Sequence, residues 1–169
     1  MTADDLRAEL EKHHVAAFGW ALSCCAWDRT EAEDALQTSY LKVLDGRARF
    51  DGRSSFRTWL FGVIRHTAAE HRRRAGRRQR KLAAWKQEPA ETSENPEAAL
   101  SQSEANRILL SALQTLPPRQ QEILHLVFYQ GLTIQEASQV AGVSIGTART
   151  HYERGKAKLR QLLAVELEV

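Results

Sequence analysis

The chain has 169 residues, 43% hydrophobic and 27% charged, a balance that suits one ordinary domain or two small ones and excludes a disordered polymer. No apolar run approaches the length of a bilayer, and the acidic start from Met1 to Leu10 is unlike a signal peptide, so the expectation is a cytoplasmic protein without membrane insertion. The net charge of +3 hides a separation: Arg65 to Lys81 holds eight Arg or Lys against one Glu, a local +7, and the other residues together sum to −4. Such a run is a solvated polybasic segment or a nucleic-acid contact.

In chain order, a long helix is expected from about Asp4 to Ala26. Its Cys24 and Cys25 are the only cysteines, and adjacent residues do not easily take disulfide geometry. No zinc-like ligand spacing joins them to the histidines, so neither a metal nor a cofactor is expected. Thr30 and Glu33 have the spacing of a capping box and start a second helix. Ala32, Leu36, Tyr40 and Val43 lie along its core side, leaving Glu31, Asp34, Gln37, Thr38 and Lys42 outward.

A loop from Gly46 to Ser55 leads into a third helix starting near Ser54. Phe56, Trp59, Leu60, Val63 and Thr67 form its expected buried stripe, and Arg57, Phe61, Arg65 and the basic run after His71 fall off that stripe, free for a ligand. Aromatic groups beside cations suit single-stranded DNA, because rings stack on bases while cations follow the backbone. From Glu88 to Glu104 the chain has five glutamates, two prolines and no Lys, Arg or aromatic residue, the composition of a linker. The fold expected is therefore all-α: two small helical domains, residues 1–85 and 105–169, joined by a flexible acidic linker at 86–104.

The second domain carries the signals of a DNA-binding helix-turn-helix. Pro117 and Pro118 end one helix and begin the next, and Gly131 closes it. Thr133 and Glu136 form a capping box, Ile134, Ala137 and Val140 a buried stripe, Gly142 a turn, and Ser144 the cap of a last helix. On that helix Ile145, Ala148, Tyr152, Gly155 and Leu159 share an inner face. The outer face presents Thr147, Thr150, His151, Arg154 and Lys158, flanked by Arg149, Lys156 and Arg160, so short polar groups reach base edges and cations hold phosphates.

Together the two domains resemble bacterial RNA polymerase sigma factors of the extracytoplasmic-function group. The motifs are Glu31-Ala-Glu-Asp-Ala-Leu-Gln, Phe50-Asp-Gly-Arg-Ser-Ser-Phe-Arg-Thr-Trp-Leu, Leu116-Pro-Pro-Arg-Gln and Gly146-Thr-Ala-Arg-Thr, in that order around the acidic linker. The resemblance implies a sigma factor that binds core RNA polymerase and promoter DNA, opens the duplex and starts transcription, with sigma domain two at 1–85 and sigma domain four at 105–169. It implies that Asp34, Gln37 and Leu41 dock on the polymerase. It implies minus-ten contacts by Arg53, Ser54, Ser55, Arg57, Phe61, Arg65, His66, Arg72, Arg73 and Arg74. Minus-thirty-five contacts would fall to Ser144, Thr147, Arg149, Thr150, His151, Arg154 and Lys158. An anti-sigma factor is the further partner it implies.

Two positions depart from the family pattern: His151 stands where many relatives have arginine, and His66 where asparagine is common. Ala148 and Gly155 are also smaller than usual, which would let the last helix sit closer to its support. Two other readings are a helix-turn-helix regulator with no polymerase role, which leaves the first domain unexplained, and a sigma-like mimic that binds an anti-sigma protein, which would not need the arginines. An enzyme is not expected, because the chain has no nucleotide-binding glycine loop, paired metal-ligand motif or nucleophile elbow.

Overall fold

The computed structural model describes residues 1–84 and 103–167, and within these the regular structure is entirely helical. The chain divides into two compact units, Met1–Pro96 and Glu97–Val169. Most of the acidic stretch expected as a linker, 86–104, lies outside the described residues; its last two residues already cap and begin a helix.

The N-terminal unit contains α1 (Ala3–Lys12), α2 (His14–Cys24), α3 (Arg29–Leu44) and α4 (Phe56–Ala83). Thr2 and Asp5 form a reciprocal capping box on α1, at 3.1 and 2.7 Å. The single helix expected over residues 4–26 is instead broken at His13 (φ −100°, ψ 5°). Neither proline nor glycine marks this break. It coincides with a tertiary contact, the His13 ring stacked on Phe56 of α4 with centroids 6.1 Å apart.

Between α2 and α3 the chain turns through two left-handed residues that are not glycine, Ala26 (φ 51°) and Trp27 (φ 66°). Burial of the Trp27 side chain and a hydrogen bond from its N–H to the Leu22 carbonyl (2.8 Å) hold this turn. Helix α3 then starts earlier than expected: Asp28, not Thr30, is its cap, accepting from the Glu31 N–H at 3.1 Å. Glu33 is used elsewhere, paired with Arg29 at 3.0 Å.

Helix α4 packs against both α2 and α3, so it buries a wider arc than a single stripe. Leu60, Phe61, Ile64, Thr67 and Ala68 are fully enclosed, while Trp59 and Val63 are half-buried. Trp20 of α2 meets α4 twice. Its ring stacks on Phe61 with centroids 6.0 Å apart, and its Nε1–H donates to the Phe61 carbonyl at 2.9 Å.

The C-terminal unit contains α5 (Glu104–Gln114), α6 (Pro118–Leu124), α7 (Ile134–Ala141) and α8 (Ile145–Leu167). A π-helical segment, His125–Tyr129, follows α6, so the helix expected up to Gly131 loosens in its last turn. Leu113, Leu116, Leu124 and Leu159 form the core with Ala112, and Leu109, Tyr152, Leu162 and Leu163 pack against it.

Gly155 sets the spacing between α6 and α8. A Cβ there would lie 2.9 Å from Leu124 Cδ1 and 3.2 Å from Gln120 Cβ, and Leu124 is fully buried with little room to yield. Gly155→Ala should therefore lose stability although alanine is the better helix former: overpacking costs about 1–3 kcal/mol and helix propensity returns about 1. The measurement is urea unfolding by circular dichroism, in the transition silent to tryptophan fluorescence, since the tryptophans at 20, 27, 59 and 85 all lie in the N-terminal unit. A stabilised variant would mean that α6 and α8 are further apart than described.

Candidate nucleic-acid interfaces

In the C-terminal unit the helix-turn-helix is built from local hydrogen bonds. Thr133 N–H donates to Glu136 Oε2 at 2.8 Å, and Glu136 N–H to Thr133 Oγ1 at 3.1 Å, so the expected capping box of α7 is present. Gly142 takes the left-handed conformation (φ 66°, ψ 35°). The N–H groups of Gly142 and Val143 return to the carbonyls of Gln139 (3.4 Å) and Ser138 (3.1 Å), the paired bonds of a Schellman motif. Ser144 caps α8 through the Thr147 N–H at 3.1 Å. Arg119 Nη1 donates to the Ala141 carbonyl at 3.1 Å and so ties α6 to the end of α7, a contact between elements that no local pattern announces.

Helix α8 is anchored by Ala148, Gly155 and Leu159, all buried, while Tyr152 is half-buried. Ile145 differs from the sequence expectation. It is 43% exposed, because the first turn of α8 projects beyond α7. Thr147, Arg149, Thr150, Arg154 and Lys158 are exposed and His151 is half-buried. The Thr150 hydroxyl donates to the Gly146 carbonyl at 3.0 Å and keeps acceptor capacity. Flanking Lys156 is engaged within the unit: its Nζ sits 4.8 Å above the Tyr152 ring and 3.5 Å from Glu153.

In the N-terminal unit the second basic surface runs along α4. The loop before it turns at Gly52 (φ 76°), and Arg53 pairs with Asp51 at 3.2 Å. Phe50, Phe56 and Trp59 form an aromatic cluster, with centroids 5.3 to 5.5 Å apart, that fastens this loop to the start of α4. Ser55 accepts from the Thr58 N–H at 3.1 Å as the cap of α4, so its hydroxyl is first a structural group; Ser54 donates to the Ser55 carbonyl. Arg57 and Arg65 are half-buried, and Arg72, Arg73 and Arg74 are exposed.

Phe61 does not belong to this surface. The expectation that it faces a ligand is corrected by its complete burial against Trp20: the stripe read from Phe56, Trp59 and Val63 assumed one neighbouring helix, whereas α4 has two.

Lys42 also departs from the sequence reading. It does not face solvent but reaches from α3 to α4, donating to Glu70 Oε2 at 2.6 Å and to Thr67 Oγ1 at 3.1 Å. The other carboxylate oxygen of Glu70 lies 3.2 Å from His66 Nε2. The Lys42 hydrogen bond, followed by the charges of Lys42, His66 and Arg74, holds the Glu70 carboxyl below the ordinary carboxylate range against the opposing effect of its burial. The signal that could have drawn attention to it is that Glu70 is the one acid in a helix otherwise full of cations.

On α3, Asp34, Gln37 and Leu41 all face outward, with Leu41 54% exposed. Beside them a groove of about 500 Å³ is lined by His14, Phe18, Leu36, Gln37, Tyr40 and Leu41. Among the described residues no helix is long and apolar enough to cross a membrane.

This arrangement matches known proteins along nearly the whole chain. The family model of sigma-70 region 2 matches residues 10–78, and that of sigma-70 region 4 residues 112–161. The chain is 36% identical to the RNA polymerase sigma factor CarQ of Myxococcus xanthus over 99% of its own length and 95% of the relative's. It belongs to the sigma-70 family of RNA polymerase sigma factors. Within the family it falls in the extracytoplasmic-function group, as shown by 33% identity to the ECF RNA polymerase sigma factor SigX of Bacillus subtilis over 83% of this chain and 76% of that protein. This sigma factor is thus a non-enzymatic factor that directs transcription initiation. Its fold is that of the sigma factor RpoE of Bartonella quintana, solved in complex with the anti-sigma factor NepR, with a TM-score of 0.74 at 24% identity over 95% of this chain and 98% of that one.

Proposed function

We propose that this sigma factor divides promoter recognition between its two basic surfaces. Residues 105–169, acting as sigma domain four, hold the minus-thirty-five element through Ser144, Thr147, Arg149, Thr150, His151, Arg154 and Lys158 on α8. Residues 1–85, acting as sigma domain two, engage the minus-ten element through Arg53, Ser54, Ser55, Arg57, Arg65, His66 and Arg72 to Arg74. Asp34, Gln37 and Leu41 dock on core RNA polymerase. The observation that carries this division is the exposed cationic face of α8 above a fully capped helix-turn-helix. Two linked contacts raise the effective concentration of each domain at its own element, so promoter choice depends on both.

The remaining partner in this reading is an anti-sigma factor that holds the protein inactive in the cytoplasm. The structural relatives from Bartonella quintana and the CnrH–CnrY complex, both solved with such partners, support it by analogy of fold. A regulator without a polymerase role fits less well, because the family match covers both units.

The test is transcription by purified core polymerase with and without the protein on promoters from its own operon. Protein-dependent transcripts are expected, and their absence from every upstream region would reject the reading. Within it, Arg149→Ala should weaken minus-thirty-five binding by about 5- to 150-fold, the equivalent of roughly 1–3 kcal/mol for a base-edge arginine, and leave core polymerase affinity intact. Equal loss of polymerase affinity would overturn the division of labour.

A further inference from the structure

Glu70 is an anomaly on a surface that meets a polyanion. It is the one acid of α4, on a helix that carries Arg65, Arg72, Arg73 and Arg74, and its charge opposes phosphate. Its position is nevertheless fixed from two sides. Lys42, 17% exposed, reaches across from α3 to one carboxylate oxygen, and the other oxygen is directed at His66, whose side chain is 70% exposed. Thr67, fully buried, accepts a second bond from the same ammonium group. The result is a chain of polar contacts from the core of the unit to a histidine at its surface.

The donor inventory of this chain has one consistent assignment. A lysine ammonium only donates and an ionised carboxylate only accepts, so Glu70 takes a proton donor on both sides. The neutral His66 ring must then carry its hydrogen on Nε2, which leaves Nδ1 as an acceptor. On their major-groove edges adenine and cytosine offer an amino group, whereas guanine and thymine offer only acceptors. From this geometry we infer that Glu70 is a positioning residue that makes His66 a hydrogen-bond acceptor, and thereby selects adenine or cytosine at one position of the minus-ten element. The inference rests on the reading of His66 as a minus-ten contact.

Replacing the carboxylate by an amide reverses the logic. In Glu70→Gln, Lys42 still claims the oxygen, and the amide NH₂ now faces His66. An NH₂ group only donates, so it is satisfied by an unprotonated Nε2, and the ring hydrogen moves to Nδ1. His66 then presents a donor, which suits guanine O6 or N7 and thymine O4.

The experiment is transcription at pH 8, above the ordinary imidazole range, by core polymerase with the full-length protein on templates cycling each minus-ten position through four bases. At one position the wild type should favour adenine or cytosine by about fivefold, the worth of one hydrogen bond. His66→Ala should abolish that preference, and Glu70→Gln should invert it. These are ratios within one preparation, so partial loss of folded protein does not disturb them. If His66→Ala abolishes the preference while Glu70→Gln retains the wild-type one, the role of Glu70 is overturned and the His66 contact stands. If His66→Ala changes no preference, both fall. A wild-type preference for guanine or thymine at the His66-sensitive position would also overturn the acceptor assignment.

Discussion

Phe61→Ala is expected to destabilise the N-terminal unit by about 3–5 kcal/mol, the range measured for truncating enclosed aromatic residues. Phe61 is fully buried, and its ring is stacked on Trp20, also almost wholly enclosed, so the change removes the ring and leaves a void between α2 and α4. The void has little means of closing. Trp20 is fixed at its far end by the hydrogen bond to the carbonyl of residue 61, which survives the substitution and keeps the two helices at their distance. Phe61→Leu fills more of the space and should cost about 1 kcal/mol. Tryptophan fluorescence during urea unfolding reads this unit alone. The outcome separates two ideas about α4. If Phe61→Ala unfolds normally but loses DNA binding, the ring belongs to the promoter surface; if it melts early and the leucine variant binds promoter as well as wild type, the ring belongs to the core.

The Phe61 case marks the boundary of what the sequence discloses. Features fixed within four or five residues were legible: the Thr133–Glu136 capping box, the left-handed Gly142, and Ser144 as the cap of α8 all depend on hydrogen bonds between near neighbours. The exposed cationic face of α8 followed from the same helix register. Features fixed by the neighbour of a helix were not legible. The break at His13 goes with a ring on α4, and the arc buried on α4 depends on its having two partners. The Lys42–Glu70 contact joins residues on different helices, each of which reads as a solvent-facing charge when taken alone. Gly155 was intermediate: its small size was visible in the sequence, but the side chain it admits, Leu124, was not.

His125 should make the C-terminal unit acid-sensitive in a defined window. It sits in the π-helical segment, 4% exposed, and burial pushes its imidazole down from 6.5 to about 4. The surroundings favour the neutral ring in a second way: Gln130 Nε2 lies 3.2 Å from His125 Nε2, and an amide NH₂ is satisfied only by an unprotonated nitrogen. Above pH 6.5 the ring is neutral in both folded and unfolded chains and contributes no pH dependence. As the pH falls from 6.5 towards 4, the unfolded chain takes up a proton that the folded unit refuses, so stability declines by about 1.4 kcal/mol per pH unit, roughly 3 kcal/mol over the window. Below about 4 both states are protonated and this contribution to the slope vanishes. His125→Phe keeps a ring to stack on Tyr129, whose centroid lies 5.2 Å away, and has nothing to protonate. Urea unfolding followed by circular dichroism from pH 7.5 to pH 4 should therefore give a shallower decline for the variant in the transition silent to tryptophan fluorescence. Parallel curves for the two proteins would show that His125 takes up its proton in the folded unit, which would require the π-helical segment to open to water well before the unit unfolds.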